Sequence, residues 1–312
     1  MASQLPDIDL LVRSADAGLH PSVRQWVPEW ARHEALREEL AWWLEVAACD
    51  MDYARSYAAH QPQSEAEPEQ FLDRWLPVSE GLWALTGPRY RGRDPDIPFV
   101  GVVGTDRPVT ASDLPALTGF ARHQYSVFRP GYVSFWTADP VGTWPGTLAD
   151  RRLLTAPLGG LRRGVVPSEL SVRPAADLTF YQRYLDLYQR HGEADAAHRM
   201  QATPEDAADL EALIEVGTVW EVHVDGQWAG VIAGRGDVAS GLRGATVVEL
   251  VLDPSFCGHG FGSHLSVLLA QSLPYPDDQF LFGTIHADNT RAYRSARRAG
   301  RIDVGGEVIV PL

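Results

Sequence analysis

Two spacings govern where apolar residues fall along this chain. Leu36, Leu40, Trp43, Leu44, Ala47 and Met51 recur every three or four positions, which puts them on one face of an α-helix several turns long. The polar stretch 60–70 ends it. Residues 71–85 read as a second helix, and Ser112 and Asp113 cap a third that runs to about Gln124. Extended segments are expected at 8–13, 99–103 and 132–137, which are short apolar runs. Segments 87–98 and 139–150 are rich in loop-forming residues, the second carrying Trp144. Residues 161–168 have no period and look like a junction, so the chain is expected to divide into 1–165 and 166–312.

Past the junction the pattern sharpens. Leu178, Tyr181, Leu185 and Tyr188 share a helical face; Thr203 then caps a further helix, with Pro204 in its first turn and Leu210, Leu213 and Ile214 as its stripe. Trp220, Val222 and Val224 alternate with polar residues, and Asp225-Gly226 supplies the positive φ angles of a tight turn, so an antiparallel hairpin follows. Residues 245–252 form a nearly continuous apolar strand, Leu265, Leu268, Leu269 and Leu273 line a helix, and 280–287 is again a strand. A helix at 290–299 leads to a short strand pair joined by Gly305-Gly306. Leu170, Val172, Arg173 and Ala175 echo Leu10, Val12, Arg13 and Ala15, each ahead of a helix-rich stretch, which suggests a tandem repeat.

The 312 residues suffice for two compact units, and 45% hydrophobic with 22% charged residues is a globular composition. A net charge of −14 argues against duplex DNA or an anionic membrane as partner and is compatible with a cationic substrate, although an acidic surface also simply confers solubility. Cys49 and Cys257 stand alone, so neither a disulfide framework nor a metal site is indicated. No signal-like segment opens the chain and no apolar run approaches membrane-spanning length; a cytoplasmic protein is expected.

The densest chemical signal is VVELVLDPSFCGHGFGSHL, a buried strand, a glycine-rich turn and a helix that starts near Gly262. Glycines let a backbone approach a ligand closely, and amides at a helix N-terminus suit an anion such as a pyrophosphate. A tight strand-to-helix connection without any ligand would also use them. A P-loop needs Lys and Ser or Thr after its last glycine, whereas Gly262 is followed by Ser263 and His264. A dinucleotide fold needs alternating parallel strands, whereas a hairpin precedes this strand.

The turn resembles the pyrophosphate motif of the GNAT superfamily of acyl-CoA-dependent N-acyltransferases: Arg or Gln, two variable residues, Gly, one variable residue, then Gly or Ala. It falls on Cys257, Gly258, His259, Gly260, Phe261 and Gly262, with Cys257 in place of the Arg or Gln. Asn289, Ala292 and Gly300 match the family's second segment. The resemblance implies an α/β fold with a mixed, mostly antiparallel sheet flanked by helices, in two tandem lobes of which the N-terminal one is degenerate and helps shape the acceptor pocket. It implies acetyl-CoA as co-substrate, held by Leu250, Val251, Leu252, the stretch from Cys257 to Ser263, and Asn289. No metal is implied.

Direct transfer to an amine needs a group that takes a proton from the acceptor and one that protonates the leaving thiolate. Glu249 is the candidate base, the only ionisable residue in its apolar strand; it is equally read as an anchor for a cationic substrate or a partner for an arginine. Glu221 is the reserve. The family's Tyr position is occupied by Ala296, and the aromatic residue often found after the glycine is Arg301, which leaves Tyr293, one turn earlier, as candidate acid or packing residue. His259 and His264 contact CoA phosphates or stand by in solvent; Arg294, Arg297 and Arg298 offset phosphate charge or complement a helix end. Tyr132, Phe135, Trp136 and Trp144 line an acceptor pocket or fill a core. Cys257 has no activating histidine in a recognisable pattern. The expected function is N-acetyl transfer to an unidentified small-molecule or peptide amine by a monomer or homodimer. The alternative is a CoA-binding regulatory protein with weak or no turnover.

Overall fold

In a computed structural model, residues 5–61 and 65–312 are described. Four helices come first, α1 (Ile8–Ala17), α2 (Pro21–Trp26), α3 (Glu29–Trp42) and α4 (Met51–Ala59), with a π-helical turn at Trp43–Ala47 after α3. Strands β1 (Arg74–Ser79), β2 (Leu82–Tyr90) and β3 (Pro98–Thr105), helix α5 (Leu114–Gln124) and strand β4 (Tyr132–Thr137) follow. Next come β5 (Leu148–Pro157), α6 (Leu158–Arg162), β6 (Leu170–Pro174), α7 (Tyr181–Ala194), α8 (His198–Gln201) and α9 (Ala207–Glu215). The last part contains β7 (Val219–Val224), β8 (Gln227–Ala239), β9 (Leu242–Leu252), α10 (Gly262–Ser272), β10 (Phe280–His286), α11 (Thr290–Arg298) and β11 (Ile302–Pro311).

The chain forms two compact units, one comprising Met1–Asp150, Ala239–Leu242 and Val304–Leu312, the other Arg151–Val238 and Arg243–Asp303. This differs from the expected 1–165 and 166–312 at both ends. In unit 1 the strand order is β1-β2-β3-β4-β11, with β3 and β4 parallel and β11 antiparallel to β4. In unit 2 it is β6-β7-β8-β9-β10-β5, with β9 and β10 parallel and β5 antiparallel to β10. Each sheet thus runs from a hairpin to a strand, through a helix (α5 or α10) to a parallel strand, and on to an antiparallel closing strand. The closing strands are exchanged: β5, which follows β4 in sequence, completes unit 2, and β11, which follows β10, completes unit 1.

The mixed, mostly antiparallel sheets flanked by helices are the expected fold class, and unit 2 follows the order of hairpin, strand, glycine turn, helix and strand expected from the sequence. Unit 1 shares its central topology but lacks two elements. Where a first strand was expected, 8–13 is helical: Asp7 accepts the Asp9 N–H at 3.0 Å as N-cap, and Leu11 and Val12 are buried together on one face. The echo at 170–175 therefore pairs a helix with a strand and is not a structural repeat; the repeat lies in topology alone. Between β4 and β5 a loop replaces the helix that unit 2 has at α11.

Residues 71–85 are not a helix. Pro77 would break one, but it fits the edge strand β1, and Gly81 at φ 77 turns β1 into β2. Asp206, not Thr203, caps α9, accepting the Asp209 N–H at 2.8 Å. The segment from Gly305 to Gly306 lies inside the single strand β11, not in a turn. Within 161–168, Leu161 belongs to α6 and, with Leu158, to the unit 2 core. Two apolar layers sandwich the unit 2 sheet: α6 and α10 cover one face through Leu158, Leu265 and Leu269, and α7 and α9 cover the other through Tyr184, Leu187 and Leu210.

Candidate functional site

Strand β9 carries the site. Its ladder with β10 spans only Gly244–Phe280, Ala245–Leu281 and Thr246–Phe282, so the C-terminal half of β9 lies beyond the parallel pairing. Side chains there alternate. Leu250 and Leu252 pack toward α10, whereas Glu249 and Val251 point to the α7 and α9 side.

Helix α7 fastens this half of β9 with a stripe of polar side chains. Tyr184 and Tyr188 both donate to Glu249 Oε2, at 2.6 and 2.7 Å. One turn on, His191 Nε2 lies 2.7 Å from the Leu252 carbonyl; a carbonyl only accepts, so Nε2 carries the proton. Arg190 pairs with both carboxylate oxygens of Asp253, which also accepts from the Ser255 amide at 3.0 Å and its hydroxyl at 2.7 Å. Burial pushes the Asp253 pKa up, but these donors outweigh it and the net shift is downward.

Beyond Asp253, the 3₁₀ turn Pro254–Phe256 leads into the glycine turn. Gly258 and Gly260 have φ of 86° and 88°, and a Cβ on either would meet nothing within 4 Å. Glycine is needed for the conformation, not for room. Helix α10 then starts at Gly262 with no side-chain cap on its N-terminus. Among the described residues, the backbone N–H groups of Gly258, His259, Gly260, Phe261, Gly262 and Ser263 donate to no protein acceptor. Consecutive free amides at the positive end of an eleven-residue helix are an arrangement suited to an anion.

Other expected site residues are placed as follows. Asn289 Oδ1 caps α11 by accepting the Ala292 N–H at 3.1 Å. Tyr293 donates to Asp303 Oδ2 at 3.1 Å, and Asp303 is also gripped by Arg152 of β5. Burial and the Asp303 charge raise the Tyr293 pKa. His259 is exposed, and His264 meets the Val165 carbonyl at 3.1 Å. Arg294, Arg297 and Arg298 are exposed along α11, and Glu221 sits on β7 between Arg173 and Val231. Cys257 is exposed and its pKa is raised, so its thiol is not poised as a thiolate. In unit 1, Phe135 and Trp144 are buried in the core and Tyr132 stacks on Phe99, with centroids 4.8 Å apart. Trp136 is half-buried beside Gly305.

Three groups escaped the sequence reading. The α7 stripe was hidden because tyrosine reads as apolar: the buried ridge is Phe180, Tyr184 and Leu187, not Leu178, Tyr181, Leu185 and Tyr188, which flank it. Arg291, in the first turn of α11, is near enough to Cys257 to act on its thiol electrostatically, which puts a cation beside the glycine turn. Arg301 is buried at 2% exposure with no carboxylate partner among the described residues, and donates to the carbonyls of Leu154 (2.7 Å) and Gly283 (3.1 Å).

Glu249 is the one carboxylate in this half of β9. It is 5% exposed, and burial lifts its pKa to about 7 against the opposing pull of Tyr184, Tyr188 and the Leu250 amide. Glu205 N–H donates to the Tyr184 hydroxyl at 2.7 Å, which leaves that hydroxyl's own proton for Glu249.

Unit 1 has no counterpart of the Glu249 carboxylate. Glu249 lies five residues past the first ladder residue Gly244, and the matching position after Val100 on β3 is Thr105. At the α5 N-terminus, Asp113 accepts from the Thr110 amide (2.8 Å) and Arg107 (2.7 Å), and Pro115 removes a first-turn amide. These bonds close a capping box on the 3₁₀ turn Ala111–Asp113, and no glycine turn precedes α5.

Among the described residues no cluster of three or more His, Cys, Asp or Glu side chains is arranged to hold a metal ion, and no helix is long and apolar enough to cross a membrane. No family model and no curated protein matches the sequence. Among solved structures, the chain is similar to a GCN5-related N-acetyltransferase from Kribbella flavida (14% identity, 85% of this chain, 96% of that one, TM-score 0.48). It is also similar to a GNAT-family acetyltransferase from Colwellia psychrerythraea (12%, 73% and 85%, TM-score 0.46). A further similarity is to a tandem GNAT protein from the clavulanic acid biosynthesis pathway (14%, 68% and 74%, TM-score 0.41).

Proposed function

We propose that unit 2 is an acyl-CoA-dependent N-acetyltransferase. One observation carries the reading: six consecutive amides from Gly258 to Ser263 stand uncapped at the start of α10, directly after a strand whose partner ladder has ended. The two glycines hold these amides around a concave turn suited to a pyrophosphate, and Arg291 adds positive charge beside it. Leu250, Val251 and Leu252, on the half of β9 that lies beyond its ladder with β10, would offer backbone groups on that edge to the extended arm of acetyl-CoA. Asn289 would act by fixing the start of α11.

In the reaction an amine nitrogen bonds to the thioester carbon, the carbon–sulfur bond breaks, and the thiolate leaves. Glu249 takes the proton that the amine loses, passed through the half-buried Tyr188 hydroxyl. A pKa of about 7 suits a base at neutral pH. Tyr293 returns a proton to the thiolate; its raised pKa keeps it protonated, as an acid must be. The acceptor is a small-molecule or peptide amine.

A CoA-binding role without turnover has its own support in the Tyr293–Asp303 bond, which ties up the acid, and in Ala296 at the family's Tyr position. Thiol release measured with polyamines, aminoglycosides, amino acids and peptide N-termini decides between them. Activity on one of these that falls about 10²-fold or more in Glu249→Gln supports the enzyme. No release with any amine, in protein that binds acetyl-CoA, supports the binding role.

A further inference from the structure

Tyr184 is completely buried, so the hydrogen-bonding needs of its hydroxyl are met inside the protein. Its proton goes to Glu249 Oε2 at 2.6 Å, and its oxygen accepts the Glu205 N–H at 2.7 Å. A backbone N–H only donates, so this bond orients the phenol: while it is held, Tyr184 faces Glu249 as a donor. Polarisation along the pair strengthens the bond to the carboxylate.

The residue that supplies this N–H belongs to no helix. Glu205 lies in the connection from α8 to α9, after Pro204 and directly before Asp206, the N-cap of α9. Its carbonyl accepts from the Tyr181 hydroxyl at 3.2 Å. Tyr181 opens α7, and its ring packs beside that of Tyr184, with centroids 5.9 Å apart. Neighbouring phenols on one helix face thus grip the Glu205 backbone at both its groups, Tyr181 at the carbonyl and Tyr184 at the amide.

We propose that Tyr181 and the Glu205 backbone are positioning groups for the base, a clamp that holds the Tyr184 proton on Glu249. The proposal rests on the reading of Glu249 as the base of unit 2. It gives the two phenols on that carboxylate different tasks. Tyr184 is fixed and stabilises the ionised form, whereas the half-buried Tyr188 passes on the proton that the acceptor loses. The α8–α9 connection thereby enters the site through its backbone. The Glu205 side chain acts in the opposite sense: its charge raises the Glu249 pKa, and Asp206, Asp209 and Arg235 act in turn on Glu205. The sign of the effect therefore separates the backbone of this residue from its side chain.

Titration of the Glu249 carboxyl in the full chain tests the clamp without requiring turnover. NMR of the glutamate carboxyl carbons follows it, with the signal assigned by its loss in Glu249→Gln. Tyr181→Phe keeps the ring and removes only the hydroxyl. The Glu249 pKa should then rise by about half a pH unit, less than in Tyr184→Phe. Added to Tyr184→Phe, the same change should shift nothing further, since the clamp acts only through that phenol. Glu205→Gln, which keeps the backbone and removes the charge, should lower the value instead. An unmoved titration in Tyr181→Phe, an equal further shift in the double variant, or a rise in Glu205→Gln overturns the proposal. Where an amine is acetylated, the pH profile of kcat/KM should move with the carboxyl. Shifts as expected in a chain that acetylates no amine would leave the clamp on Glu249 standing and overturn only the reading of unit 2 as an enzyme.

Discussion

Tyr184 and Glu249, 65 residues apart in sequence, meet in a 2.6 Å hydrogen bond between α7 and β9 that sets the ionisation of the one carboxylate at the candidate site. The phenol donates to the carboxylate and thereby lowers its pKa, while burial raises it more, to about 7. Tyr184→Phe removes one donor. The rise of kcat/KM with pH should then move to higher pH than in the wild type. A profile that stays in place means that Glu249 is not the titrating base.

The same carboxyl links stability to pH. A folded value of about 7 against an ordinary 4.5 means that the fold favours the protonated form. Its contribution is full below pH 4.5 and is lost as pH rises through 7. Glu249→Gln cannot ionise, so its stability relative to wild type should increase across this window by on the order of 2 kcal/mol. Urea unfolding of both proteins at the two ends of the window measures it, and parallel curves would show that burial does not tune this group.

His191 and Arg190 hold the last residue of β9 and the first of the turn from the same helix. Replacing His191 with Ala frees the Leu252 carbonyl and should cost about 1 kcal/mol of stability. It should also raise KM for acetyl-CoA while kcat changes little, because the amides proposed to hold the pyrophosphate lose their footing. A fall in kcat with KM unchanged would place His191 in the chemistry instead.

Arg301 donates to the carbonyls of Leu154 on β5 and Gly283 on β10, and its burial lowers the guanidinium pKa to about 10. Replacement by Ala opens a cavity and should cost about 3 kcal/mol, whereas Met, which fills the space without a charge, should cost less. Equal losses in chemical denaturation would mean that the hydrogen bonds, not the volume, matter.

Asp113 in unit 1 gives the opposite pH dependence. Arg107 and Thr110 hold its carboxyl well below the usual range, so the stabilisation is present above pH 3.8 and is lost as pH falls below it. Asp113→Asn should cost about 1–2 kcal/mol at neutral pH, with the gap closing in acid. A constant gap down to strongly acidic pH would rule out the ion pair as its source.

Unit 2 was largely readable because its signals are local. The Asp225-Gly226 turn, with φ of 48° and 78°, the apolar run of β9 and the glycines before α10 each fix a short segment without help from elsewhere. Unit 1 was misread where local signals conflict. Leu10, Leu11 and Val12 suit a strand by composition, yet the Asp7 cap and the burial of one face make them helical. The exchange of β5 and β11 has no local signature, since either strand fits either sheet by its alternation. The carboxylate at Glu249 was visible as a lone charge in an apolar strand; the two phenols on it were not, because contact across 61 to 65 residues is not written in spacing.

The amides from Gly258 to Ser263 carry the central claim, and calorimetry with acetyl-CoA tests it most directly. The wild-type chain should bind with a single saturable isotherm. Gly260→Asp strains the backbone at φ 88° by about 1–2 kcal/mol but meets no neighbour, so it should stay folded, yet lose binding by placing a negative charge where the pyrophosphate is proposed to sit. No heat of binding to folded wild-type protein at millimolar acetyl-CoA, or undiminished affinity in Gly260→Asp, contradicts the assignment of this turn.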